Sequence, residues 1–264
     1  MRHLDNNPQE LDAWLAEHRS RLLGHYFEVL IAFWLGQWPR VTLLACRLPV
    51  QGEGKILGEF DFLFYDRYRG QTMHWECTVK FFLRRQQDDG DYDWLGPNPR
   101  DTLMGKYRKV FERQLRLSTL SEAKSVLAER DIELPLPQAF FKGYLFYPAD
   151  TDWQHPSPIP ADSSPRHLRG WWCRADRPAL IPAVADGSRW ISLERLHWLS
   201  PALSRESAPG FERATLLDWL SGHFDGSDRP VLLAELRPGR DGVWREVNRG
   251  FVVSRQWPDL PPQG

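Results

Sequence analysis

The sequence predicts an α/β protein whose first part runs α-β-β-β-α-β and is followed by a smaller α+β part. Three observations predict it. An apolar helical run, "GHYFEVLIAFWLG", precedes three stretches in which apolar and polar residues alternate. A second helical run follows them, with Leu103, Tyr107, Val110, Phe111 and Leu117 on one side. A further apolar stretch, "AFFKGYLFYP", closes the pattern. Repeats near 3.6 and near 2 are the periods that half-buried helices and strands must show.

Each element has its own signals. Residues 9–37 read as one long helix, stopped by Gly36 and Pro39. Strands are expected at 41–50, 58–66 and 72–84. The loop "RQQDDGDYDWLGPNPR" leads to a helix over 101–118, which "SEAKSVLAERD" extends. Its segment "QDDGDYD" lacks the spacing of a calcium loop and reads as a mobile acidic loop. The strand at 139–148 ends on Pro148. Residues 1–148 are thus one core, 149–169 a Pro-rich connector, and 170–264 an α+β extension packed on the core. The extension holds "RGWWCR", a helix in "FERATLLDWLSGHF", and strands in "RPVLLAEL" and "WREVNRGFVVSRQW". Of the adjacent Trp171 and Trp172, alternation sends one inward and one outward.

Composition narrows the function. The 264 residues are 42% hydrophobic and 26% charged, enough for a real core. The net charge of −1 means that any nucleic-acid contact must use a local basic face. Cys46, Cys77 and Cys173 stand too far apart for a zinc knuckle or a redox pair, and their odd number speaks against a disulfide framework. The segment "MRHLDNNPQELDAW" has no apolar leader core, and no apolar run approaches the ~20 residues of a membrane span. The expectation is a cytoplasmic protein without membrane association.

The hairpin of strands 58–66 and 72–84 decides which side chains meet. A short turn makes the strands antiparallel. Phe60, Phe62 and Phe64 alternate with Glu59, Asp61 and Leu63. Keeping the three Phe beside Trp75 and Cys77 leaves two registers, with Asp61 opposite Glu76 or opposite Thr78. A four-residue turn, Arg67 to Gly70, with Gly70 left-handed, favours the first. In both, Glu59, Asp61, Glu76, Thr78 and Lys80 share one polar patch. Carboxylates beside a lysine suit a divalent cation, and they equally suit a salt-bridge ladder on a solvated strand face. Glu28 lies in an apolar helical run, where a carboxylate needs a partner. Gln114 falls on the apolar side of its helix, and Lys106, Lys109, Arg113 and Arg116 form an adjoining basic stripe that can track a phosphate backbone. His25 and His74 read as structural histidines.

These residues resemble the PD-(D/E)xK nuclease superfamily. "GHYFE" is similar to the Gly-x-x-x-Glu that precedes its core, "GEFD" to the strand carrying its Asp, and "ECTVK" to its acid–lysine strand. More narrowly, "LGHYFE", "GEFDFLF", "VKFFL", "GPN" and "RGWW" resemble a bacterial family known as domain of unknown function 1853. The superfamily resemblance spans about residues 10 to 148. It implies a restriction-endonuclease-like αβββαβ core with a mixed sheet and a Mg²⁺- or Mn²⁺-dependent hydrolysis of phosphodiester bonds in DNA, with RNA as the other substrate. Asp61 and Glu76 are then the metal ligands, Lys80 positions water or stabilises phosphate charge, and Gln114 completes the catalytic set. Glu28, Glu59 and Thr78 are auxiliary, and Lys106, Lys109, Arg113 and Arg116 bind nucleic acid. The usual acid and lysine stand two residues apart. Here they stand four apart, ~13 Å along a strand against ~7 Å. The other expectation is therefore a catalytically inactive module of the same fold. It would bind nucleic acid, or a protein partner through the Trp-rich C-terminal part.

Overall fold

The structure, a computed structural model, describes residues 7–182 and 187–259. It opens with α1 (Pro8–Glu17) and α2 (Leu23–Gln37). The single helix expected over 9–37 is thus broken. The His18 N–H closes α1 on the Trp14 carbonyl, and the Ser20 side chain bonds the backbone of Leu22 in place of a helical turn. Trp14 then donates to the Val29 carbonyl at 3.1 Å, which ties α1 to α2.

Strands β1 (Val41–Gly52), β2 (Lys55–Asp66), β3 (Gln71–Gln86) and the short β4 (Tyr92–Leu95) follow. Part of the expected acidic loop is therefore strand, and Asp93 pairs with Arg85 across β3 and β4. The second helical region is three segments rather than one. These are α3 (Leu103–Arg108), a π-turn (Lys109–Arg113) and a 3₁₀ turn (Gln114–Thr119), and α4 (Ser121–Ala128) comes after them. Next are β5 (Leu136–Pro148), β6 (Leu168–Arg174), β7 (Arg189–Ser192), β8 (Leu203–Ser204), α5 (Arg213–Gly226), β9 (Val231–Pro238) and β10 (Trp244–Val253). The strands form one 10-stranded mixed sheet in the order β1-β2-β3-β5-β6-β10-β9-β7, with β4 on β3 and β8 on β10. Pairing is antiparallel through β1-β2-β3 and parallel from β5 to β6 to β10. Among the described residues no helix is long and apolar enough to cross a membrane.

The chain divides into two compact units. The first takes residues up to Val79 and Gly105–Lys142, and the second takes Lys80–Met104 and the chain from Gly143 onward. The division cuts through β3 and β5, and the Pro-rich stretch 149–169 lies inside the second unit.

In the first unit the β2–β3 turn is the four residues Arg67 to Gly70. Gly70 has φ 67°, and its N–H bonds the Asp66 carbonyl at 2.8 Å. The ladder runs from Asp66–Gln71 to Phe62–Trp75 and stops there, so one step on lie Asp61 and Glu76. The shared face expected for Phe60, Phe62 and Phe64 is not found. Phe64 meets Trp75, whereas Phe60 packs with Leu48, Leu63, Leu117 and Leu127 and sets its ring edge-on to His74. The cause is an irregularity at Asp61. Cys46 pairs with Phe62 and Leu48 with Phe60, but Arg47 between them has φ 51°, and the β2–β3 ladder ends at the same level. Such a kink resets side-chain alternation.

In the second unit Trp171 and Trp172 are both buried, against the one-in, one-out expectation. Trp171 joins the cluster of Trp190, Leu216 and Leu233 and donates to Asn248 Oδ1. Trp172 packs on Trp257 and donates to the Arg84 carbonyl. Gly143 has φ 135°, and a Cβ there would fall 1.7 Å from the Lys80 carbonyl oxygen.

Candidate functional site

The first unit gathers an acidic centre where the β2–β3 ladder ends. Glu76 is 1% exposed and His74 0%. That rules out a solvated salt-bridge ladder at these two positions. Both carboxylate oxygens of Glu76 are taken. His74 Nε2 lies 2.8 Å from Oε1, and Gln114 Nε2 donates to Oε2 at 2.5 Å. With Glu76 ionised, the imidazole must carry its proton on Nε2 to donate this bond. His74 Nδ1 and Gln114 Oε1 are buried and have no hydrogen-bond partner among the described residues. Asp61 sits on the irregular segment of β2, and its Oδ2 accepts the Cys77 N–H at 2.8 Å.

The electrostatics follow from burial. Desolvation, and then the neighbouring Glu76 charge, push the Asp61 carboxyl from an ordinary 3.8 to about 7, against the pull of the Cys77 N–H. Desolvation raises Glu76 from 4.5 to about 7, and the Lys106 charge is the largest counterweight. Burial lowers His74 from 6.5 to about 4, so the ring is neutral at physiological pH. Glu28, on α2, is also raised, first by burial and then by Asp61, with Arg47 and His25 opposing. Arg47 reaches Glu59 at 3.2 Å and Glu28 at 3.9 Å from Nε, and it contacts His25. Two facing carboxyls that both titrate near neutrality hold one proton between them as a coupled pair.

Among the described residues no group of three or more His, Cys, Asp and Glu side chains is assembled as a metal cage. Mg²⁺ does not need one, because it keeps several waters and takes one or two carboxylates together with substrate phosphate. Asp61 and Glu76 fit that requirement. A cation held by these two carboxylates would stand in for the proton they share.

The chain matches the family model "Domain of unknown function (DUF1853)" over residues 1–253. It belongs to that family. No curated protein and no solved structure matches the chain.

Of the residues singled out from sequence, the structure brings together Asp61, Glu76, Gln114 and Glu28, with Glu59 joined to Glu28 through Arg47. Thr78 is buried in β3. Lys80 belongs to the second unit, and its Nζ donates to Asp101 at 2.7 Å. The ammonium that acts on both acids is that of Lys106, with Lys109 acting on Glu76. Lys109, Arg113 and Arg116 are exposed on the same helical run. Sequence reading missed Arg47, and it took His74 for a structural residue. Arg47 is the one charged residue of β1, which was the available signal, whereas His74 alternates with Glu76 and Thr78 along β3.

Proposed function

We propose that the Asp61–Glu76 centre is a metal-dependent hydrolytic site for phosphodiester bonds in nucleic acid, DNA first. One observation carries the reading. A buried, doubly anchored carboxyl, Glu76, faces a half-buried second one, Asp61, next to a helical run whose outer edge is basic. The protein donors around this carboxyl pair offset its burial only in part, since both acids stay raised to about 7, and a hard cation offsets the rest.

Asp61 and Glu76 would hold Mg²⁺ or Mn²⁺. When bound, the ion would acidify a coordinated water and offset phosphate charge. Gln114 and His74 fix Glu76, so no rotamer search is needed when the cation or substrate arrives. The water oxygen forms a bond to phosphorus, and the bond from phosphorus to the leaving sugar oxygen breaks. Glu28, whose carboxyl is raised beside Asp61, takes the proton the water gives up, and solvent protonates the leaving oxygen. Lys109, Arg113 and Arg116 bind the backbone of the substrate strand.

The test is cleavage of single-stranded, duplex and branched DNA and of RNA with Mg²⁺ and then Mn²⁺, with Asp61→Ala purified in parallel. Cleavage that vanishes in Asp61→Ala supports the reading. No cleavage by the wild type, or equal cleavage by both proteins, overturns it. A second reading, an inactive binding module of the same fold, draws on the two protein donors that already engage Glu76. It predicts nucleic-acid binding that survives Asp61→Ala, without cleavage by either protein.

A further inference from the structure

The strand lysine is engaged by Asp101 at 2.7 Å in the second unit. The first unit has its own lysine, and the helix geometry explains why it is there. Gln114 anchors the helical run to Glu76. In an uninterrupted α-helix, at ~100° per residue, Lys106 would stand ~80° around the axis from Gln114, eight residues on. The π-turn at Lys109–Arg113 changes this. The Gln114 N–H reaches back to the Lys109 carbonyl, five residues away, so the turn is wider and each of its residues advances less. Most of the 80° disappears, and Lys106 shares the face that Gln114 turns onto Glu76. Lys106 is accordingly half-buried, while Lys109, Arg113 and Arg116 are exposed. Its charge bears on Asp61 and on Glu76 alike.

We propose that Lys106, and not Lys80, is the catalytic lysine of this site, its ammonium taking up the negative charge that builds on the scissile phosphate. The π-turn is the device that delivers it. The inference rests on the phosphodiesterase reading. It also assigns the basic stripe two jobs, with Lys106 in chemistry and Lys109, Arg113 and Arg116 in backbone binding.

The experiment measures kcat and KM on the best nucleic-acid substrate, and Mn²⁺ affinity without substrate, for full-length wild type, Lys106→Met, Lys106→Arg and Lys80→Met. The expected result is a kcat loss of ~10²–10³ in Lys106→Met, partly restored in Lys106→Arg. Lys80→Met should stay within about threefold of wild type, as befits loss of an exposed ion pair. Mn²⁺ should bind Lys106→Met as well as wild type or better, because one positive charge near the two carboxyls is gone. A larger loss in Lys80→Met than in Lys106→Met overturns the assignment while leaving the phosphodiesterase reading intact. Loss of Mn²⁺ binding in Lys106→Met overturns it as well, because Lys106 would then be holding the carboxyls in place. A wild type without activity overturns the underlying reading, and the inference falls with it.

Discussion

Replacing Asp61 with Asn removes one of two facing carboxyls, Glu76 buried and Asp61 half-buried, whose folded-state pKa lies far above the unfolded value. The sign is set by proton linkage. An acid whose pKa rises on folding binds its proton more tightly in the folded chain, so its contribution is fully present below pH ~4 and is lost as pH rises through about 7. His74 works in the opposite sense. Its pKa falls from 6.5 to about 4, so stability is lost as pH drops through that interval. The two slopes oppose each other between pH 4 and 6.5, and only the carboxyls act between pH 6.5 and 8. As the pair gives up its proton near 7, it removes about 1–2 kcal/mol across that upper window. At pH 8 the ionised Asp61 costs about 4 kcal/mol relative to the unfolded chain, at ~1.4 kcal/mol per pH unit. The Asn amide keeps an acceptor for the Cys77 N–H but buries a neutral polar group, which returns part of that sum. Urea unfolding with a chelator at pH 6.5, 7.25 and 8 should therefore show Asp61→Asn more stable than wild type by about 2–3 kcal/mol at pH 8, with about half the wild-type slope. Added Mg²⁺ should flatten the wild-type curve and leave the variant unmoved. A wild type insensitive to pH in this window, or a variant less stable at pH 8, would refute the account of the carboxyl pair.

Other expected outcomes follow from single contacts. Gly143→Ala should yield no stably folded protein at 37 °C, because the new methyl would overlap the Lys80 carbonyl in backbone, where nothing flexible can yield. Circular dichroism and limited proteolysis read this directly. Arg249→Met should cost about 3–5 kcal/mol in urea unfolding, since Arg249 donates to the Trp198 and Ser200 carbonyls and neutralises the buried Glu246. A second change, Glu246→Gln, should recover part of the loss. Leu117→Ala opens a cavity between Leu63, Phe60 and Leu127 and should cost about 2–5 kcal/mol. Arg113→Ala and Arg116→Ala should each reduce the salt dependence of nucleic-acid binding by about one unit of slope, without sequence preference.

The sequence carried the element order because burial imposes its periods locally. It also carried the β2–β3 register, because a four-residue turn with Gly70 left-handed fixes which residues pair. Asp61 and Glu76 were legible as carboxylates brought opposite each other on the polar side of that hairpin, and Gln114 as an amide on the apolar side of its helix. The rest depended on departures from regularity. The flip of Phe60 away from Phe64 comes from Arg47 at positive φ, a residue type that gives no warning of it. The placing of Lys106 depends on a π-turn, and a wheel drawn at α-helical pitch puts Lys106 in the wrong direction. The pairing of Lys80 with Asp101 joins positions 21 residues apart, and no local pattern encodes it.

The π-turn also makes chain length, apart from residue identity, a property of the site. Inserting one residue between Lys109 and Arg113 would turn Lys106 ~100° about the helix axis relative to Gln114, with every named side chain still present. Gln114 and Lys106 would then point in different directions, and a chain that aligns well with its relatives would have lost its constellation. Scanning by substitution cannot detect such a dependence. An insertion of one residue can.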